Sequence, residues 1–188
     1  SVTGEKYRFT VLTSRLIRLE YSADGVFEDR ASQTVFFRDL GRVRFTKSTE
    51  NGVLTLETDG LKLTYRENER FSADTLEIRL KNEPCSLWHF GEDFEDLGGT
   101  AKTLDEADGE IPIGRGVCSK NGFSVLDDKE SMLLNDYGYV EVRKKDTEDS
   151  YFFGYGFDYK QAVKDFYRIT GAPPMLPAFA LGNWWSRY

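Results

Sequence analysis

Histidine, cysteine and methionine are scarce in this chain of 188 residues, which holds one His, two Cys and two Met. A zinc site or a Ser-His-Asp triad would have to use His89, and the stretch Ser86-Leu87-Trp88-His89-Phe90 offers it no partners. Cys85 and Cys118 stand apart, with no C-x-x-C pair and no metal-ligand spacing, so neither a metal nor a cofactor is expected. Two such thiols read as reduced and buried. No apolar run approaches the ~18 residues of a membrane span. No charged-then-apolar leader opens the chain. A cytoplasmic location without a membrane partner is the expectation. The first residue is Ser1 rather than Met, as in a chain whose start was cut or engineered. Positive charge is short as well, with 25 basic against 32 acidic residues and a net charge of −7. The longest basic run, Arg143-Lys144-Lys145, has Glu141 before it and Asp146 after it, and reads as a solvated turn. Without a basic stripe to displace counterions, nucleic acid is not an expected partner.

Aromatic residues are plentiful: 14 Phe, 10 Tyr and 3 Trp. They compensate for a modest aliphatic count in a chain long enough to bury a core, one domain or one and a piece. The first two thirds read as short strands. Tyr7, Phe9 and Val11 alternate with polar residues, and Leu16, Ile17 and Leu19 follow in a run ending at Tyr21. Val53 to Thr58 and Leu61 to Tyr65 flank Asp59-Gly60, which predicts a hairpin with a two-residue turn at positive φ. Further runs lie at Leu76 to Leu80, Phe123 to Leu126, Tyr137 to Val142 and Tyr151 to Tyr155. Many short strands at close spacing predict a mainly β protein, an antiparallel β-sandwich.

Between Gly91 and Gly122 the periodicity fails, and seven glycines fall in the stretch. Such a long irregular segment belongs on the surface and is a functional candidate. Asp158 is then a fitting N-cap, with Gln161 in capping-box position. Tyr159, Ala162, Val163, Phe166 and Ile169 follow at helical spacing, and Gly171, Pro173 and Pro174 stop the helix. The continuous apolar run Ala178 to Leu181 suits a strand buried on both faces, as in parallel α/β sheets. Together these divide the chain into a sandwich over residues 1–157, a connecting helix and Pro-rich turn over 158–174, and the start of a second, α/β domain over 175–188.

Three stretches carry a family resemblance: Leu97-Gly98-Gly99-Thr100-Ala101-Lys102-Thr103-Leu104-Asp105, Gly171-Ala172-Pro173-Pro174-Met175-Leu176-Pro177, and Ala180-Leu181-Gly182-Asn183-Trp184-Trp185-Ser186-Arg187-Tyr188. Together they resemble the N-terminal region of family-31 glycoside hydrolases, the α-glucosidase family. The resemblance implies a sandwich of galactose-mutarotase-like type packed on a (β/α)8 barrel, with the last residues forming the first strand of a truncated barrel. It implies retaining hydrolysis of α-glycosidic bonds by two carboxyl groups ~5 Å apart. In the family both are aspartates on later barrel strands, so this chain is expected to hold no catalytic residue and to be inactive alone. Its expected partners are the missing catalytic barrel and, in the parent enzyme, an α-linked glucoside or oligosaccharide.

The resemblance also implies substrate contacts. A loop of the family's N-terminal domain reaches over the barrel mouth and offers an acid to the leaving-group sugar. Here Asp105 matches first and Asp108 second, and a carboxylate can accept two sugar hydroxyls in a fixed fork. At the end of the first barrel strand stand Trp184, Trp185, Arg187 and Tyr188, with Tyr188 the best match to the aromatic residue beside the sugar. Strand alternation would turn one of Trp184 and Trp185 inward and the other outward. Two other readings fit the same residues: a non-catalytic carbohydrate-binding module, and a purely structural domain whose loop acids are merely solvated.

Overall fold

Alternating apolar residues fold most of this chain's strands because those strands have a core to face, and the first sheet has two. The computed structural model describes residues 1–99, 106–143, 147–173 and 175–185. Its strands are β1 (Val2–Thr3), β2 (Tyr7–Thr13), β3 (Leu16–Tyr21), β4 (Thr46–Glu50), β5 (Val53–Glu57), β6 (Leu61–Arg66), β7 (Leu76–Leu80), β8 (Leu87–His89), β9 (Ser124–Asp127), β10 (Leu133–Leu134), β11 (Val140–Glu141) and β12 (Glu148–Phe153). One helix, α1 (Tyr159–Thr170), follows. Among the described residues the strands form two five-stranded sheets, ordered β1-β2-β3-β12-β9 and β4-β5-β6-β7-β8, and a small β10-β11 hairpin. The protein is thus mainly β, an antiparallel sandwich, as its alternation predicts.

The two sheets meet over one core. Phe9, Ile17, Leu19 and Phe152 of the first sheet pack on Leu54, Leu56, Leu63, Tyr65, Ile78 and Trp88 of the second. Trp88 lies 5.1 Å from Phe152, ring to ring, and its indole N–H donates to the Glu92 carbonyl at 3.1 Å. The opposite face of the first sheet is also covered. Leu16, Tyr151 and Phe153 on that face pack with Val35, Ala162 and Ile169, so α1 and the irregular segment 22–45 act as a third layer.

Asp158 caps α1 as predicted, accepting from the Gln161 N–H at 3.3 Å. The buried stripe differs from the apolar spacing: Ala162, Asp165 and Ile169 are buried, whereas Val163 is exposed. Asp165 can be hidden because it is fully engaged. Tyr155 Oη donates to it at 2.6 Å, Gln161 Nε2 at 3.0 Å and Arg168 Nη1 at 2.8 Å. Burial raises its pKa, but these hydrogen bonds outweigh that and hold it low.

Other expectations are modified. Cys85 is exposed and Cys118 half-buried; both are free thiols. His89 sits half-buried at a sheet edge between Glu77 and Glu92. Tyr137 to Val142 is mostly the tip and returning arm of the β10-β11 hairpin rather than one strand. The β5-β6 hairpin closes at Asp59-Gly60 as predicted, with Glu57 opposite Lys62, yet neither turn residue has positive φ. The Thr58 hydroxyl accepts from the Gly60 and Leu61 N–H groups at 3.2 and 2.9 Å and shapes the turn instead. Glycine is needed at position 60 for space: a Cβ there would lie 2.8 Å from the Ser14 carbonyl oxygen and 2.9 Å from Arg15 Cγ. Gly60→Ala should therefore cost about 1–3 kcal/mol of stability, read by urea denaturation; an unchanged midpoint would show that the Ser14 turn yields freely.

Candidate functional site

The irregular stretch from Gly91 to Gly122 leaves the sandwich as a loop on two legs. Lys120 N–H donates to the Glu95 carbonyl at 2.9 Å, Leu97 N–H to the Cys118 carbonyl at 3.0 Å, and Gly99 N–H to the Gly114 carbonyl at 3.2 Å. Asp96 ties the legs together, accepting from the Gly98 N–H at 2.5 Å and the Gly116 N–H at 3.0 Å. The legs touch backbone to backbone at Gly99 and Gly116. A Cβ on Gly99 would lie 2.6 Å from the Gly116 Cα, and one on Gly116 would lie 2.9 Å from the Gly99 Cα. These two glycines permit close approach. Asp108 rides near the tip, within the exposed run 106–110. Asp105 lies outside the described residues.

The last described segment is also open to solvent. Ala178–Leu181 form one turn of 3-10 helix, not the expected strand, and none of its residues is buried. A strand buried on both faces needs a neighbouring strand on each side, and among the described residues none flanks this segment. Trp184 and Trp185 are 80 % and 86 % exposed. The Trp184 indole N–H donates to the Ala180 carbonyl at 2.7 Å. Arg187 and Tyr188 lie outside the described residues. Among the described residues no hydrogen bond or ring contact joins Asp108 to Trp184 or Trp185.

A second constellation was not anticipated. Register places Arg8, Glu20 and Asp149 side by side across β2, β3 and β12 on the helix-facing side of the first sheet. Arg18, on the same face, grips Asp149 with two hydrogen bonds of 2.8 and 2.7 Å, pairs with Glu20 at 3.1 Å and donates to the Glu28 carbonyl at 2.9 Å. Arg8 holds Glu20 with two more, both 2.7 Å. Arg143 pairs with Asp149 at 3.0 Å and with Asp128 at 3.2 Å; its side chain is 8 % exposed, so it is not the solvated turn residue expected. Asp128 also accepts from the Ser32 hydroxyl at 2.9 Å. The only sequence signal for this network is charge at alternate positions inside apolar strands, Arg18 and Glu20 among Leu16, Ile17 and Leu19.

The electrostatics follow from burial and pairing. Burial pushes Glu20 up despite Arg8 and Arg18, and pushes Asp128 up despite Ser131, Ser32 and Arg143. Burial also lifts the Tyr151 hydroxyl to about 12. Glu28, gripped by Arg30 at 2.8 Å through both oxygens, is held down at about 2. Beside the network opens a cavity of about 210 Å³, walled by Val26, Phe27, Glu28, Arg30, Glu141 and Arg143 among others. Among the described residues no three His, Cys, Asp or Glu side chains are grouped to hold a metal ion. No described helix is long and apolar enough to cross a membrane.

No family model matches the chain, and no curated protein matches it. Solved structures do. The fold is similar to that of a GH31 dextranase of Flavobacterium johnsoniae complexed with glucose, at 16 % identity over 97 % of this chain and 28 % of that one, with a TM-score of 0.58. An aspartate-to-alanine mutant of the same dextranase complexed with isomaltotriose gives 16 % identity, the same coverage and a TM-score of 0.56. The chain thus spans about 28 % of the length of the enzyme whose fold it shares.

The charge network makes stability depend on pH. Glu28 stays ionised in the fold down to about 2, whereas the unfolded chain protonates it near 4.5. Its contribution is present above the unfolded value and is lost as pH falls through the folded one. Glu20 and Asp128 have the opposite sign: their contribution is present below the unfolded value and lost as pH rises through the raised one. Glu28→Gln should flatten the fall in melting temperature between pH 4.5 and about 2; a slope equal to that of the unsubstituted chain would rule Glu28 out as a contributor.

Proposed function

We propose that this chain is the N-terminal accessory domain of a family-31 glycoside hydrolase of α-glucosidase type, buttressing a catalytic barrel and lending it a substrate loop. The observation that carries the proposal is the sandwich fold shared with a GH31 dextranase along nearly the whole chain. The two-legged loop supports it. Its glycine contact and the Asp96 clamp join the two legs at their base, a fixed mount for a loop that lends contacts to a neighbouring domain. The C-terminal segment supports it too, because Met175, Leu176, Phe179, Leu181, Trp184 and Trp185 form an exposed apolar run suited to burial against further structure.

In this reading the reaction is retaining hydrolysis of an α-linked glucoside. The nucleophile and the acid/base, two carboxyl groups ~5 Å apart, belong to the barrel and not to this chain. Asp105 and Asp108 accept hydroxyls of the leaving-group sugar, and the ionised carboxylate makes these bonds stronger than a neutral acceptor would. Trp184, Trp185, Arg187 and Tyr188 line the sugar site from the barrel side, the flat rings packing on the apolar face of the pyranose. That the dextranase structures hold glucose and isomaltotriose favours an α-linked gluco-oligosaccharide as substrate.

The test compares the 188-residue chain with a longer chain that carries the barrel, assayed on an aryl α-glucoside and on isomaltotriose. Turnover is expected only from the longer chain. There Asp105→Ala should lower kcat/KM by about 10- to 100-fold, the loss of a hydrogen bond to a charged group. Turnover by the 188-residue chain alone would overturn the accessory-domain reading.

A further inference from the structure

An open sheet ends in two strands whose outer backbone groups can pair with another chain. Here the first sheet ends in β1 and β9, of two and four residues, and the second in β8 and β4, of three and five. On β8 the Phe90 N–H bonds back to the Leu76 carbonyl, so the His89 N–H points outward, where the Glu92 carboxylate accepts from it at 3.0 Å. β4 is the longest of the four end strands and is exposed at every position. Among the described residues it pairs with β5 alone. Its free bonding groups follow from the ladder. Thr58 bonds to Leu61 and Glu67 to Gly52 across the β5-β6 pair. The alternation of an antiparallel ladder therefore turns Thr46, Ser48 and Glu50 toward β5, and the N–H and C=O groups of Lys47 and Thr49 outward.

The side chains of β4 bear on whether that edge can be used. Lys47 stands opposite Leu56, and the row continues through Leu63, Ile78 and Trp88, all buried in the core between the sheets. Residues directly opposite one another share a face, so Lys47 lies on the core-facing side of the sheet. It takes the place where the row would hold one more apolar residue. Thr49 ends the next row in the same way, opposite the buried Leu54. A second copy turned about a twofold axis at Ser48 would keep core-facing residues on one side and set Lys47 against the second copy's Thr49. The joined row would run from Leu56 through Lys47 and the second copy's Thr49 to the second copy's Leu54. An ammonium at that joint has to stay in water between two apolar layers that would otherwise merge, and burying it is costly.

We propose that Lys47 keeps the β4 edge from pairing with a second copy of this chain. The charge acts because it is on the core-facing side; an equal change on the outer face of β4 leaves the edge as it was. The proposal uses no part of the glycoside-hydrolase reading, and hydrolysis by a longer chain neither supports nor harms it. The experiment measures molar mass by light scattering over a concentration series for the 188-residue chain and for Lys47→Val, Lys47→Glu and Ser48→Val. Lys47→Val should rise toward double the monomer mass as concentration increases, with amide hydrogen exchange slowed at positions 47 and 49. Lys47→Glu keeps a charge at the joint, and Ser48→Val adds its methyl groups to the outer face, so both should follow the unsubstituted chain. All the substituted positions are exposed, and matching melting temperatures confirm that folded chains are being compared. Association common to all four chains, as through the exposed apolar run at 175–185, subtracts out. A Lys47→Val chain no more associated than the unsubstituted one would overturn the proposal. So would an equal gain in Ser48→Val or Lys47→Glu, a gain without slowed exchange at positions 47 and 49, or slowed exchange there in the unsubstituted chain as it is concentrated.

Discussion

Arg18 is the residue on which the second face of the first sheet depends. Its side chain is 2 % exposed and carries a full charge, so the fold must surround it with acceptors. Asp149 on β12 supplies two, Glu20 on its own strand one, and the Glu28 carbonyl another. Each acceptor is held in turn: Glu20 by Arg8, Asp149 by Arg143, and Arg143 by Asp128, which Ser32 also binds. The sheet, the 22–38 segment and the β10-β11 hairpin are thereby locked in one arrangement. Such a network adds little net stability over an apolar core, but breaking one buried partner costs about 3–5 kcal/mol. What it provides is a single register, because a slip of one residue would put these charges into the aromatic core between the sheets.

The rest of that face is apolar, and the division explains the third layer. Leu16, Tyr151 and Phe153 continue the rows that begin with the charges, and they need cover. The helix supplies Ala162 and Ile169, and the irregular segment supplies Val35. Segment and helix are pinned to each other where the Phe36 and Phe37 N–H groups both donate to the Ile169 carbonyl at 2.9 Å. A sheet buried on both faces is a stiff platform; the cavity adjoins it, and the loop spans from β8 of the second sheet to β9 of the first.

Much of this architecture was legible in the sequence, for physical reasons that also mark its limits. Tyr7, Phe9 and Val11, or Leu61, Leu63 and Tyr65, alternate because one face meets the core, and the alternation is readable. The strand Thr46–Glu50 is exposed at every position, so it carries no apolar period to read; it exists through its ladder with β5. Asp165 and Arg143 were hidden because the partners that make their burial tolerable come within reach only when helix, strands and hairpin pack. The Asp59-Gly60 turn was found where expected but for another cause, since the Ser14 backbone that crowds Gly60 is distant in sequence. Of the candidate site, Asp108, Trp184 and Trp185 stand exposed and apart, while Asp105, Arg187 and Tyr188 lie outside the described residues. The family resemblance nominated these residues, and the described strands neither orient them nor bring them together.

The glycine contact between the loop legs has a consequence for how such a domain changes over time. Because Gly99 and Gly116 close the loop at its root, the sandwich is insulated from whatever is carried between them. Doubling the length of a flexible loop adds only about 0.6 kcal/mol of closure cost. The stretch between the legs can therefore lengthen, shorten or exchange its side chains while the strands keep their register. A chassis of this kind lets selection retune reach and chemistry at the tip without renegotiating the fold beneath it.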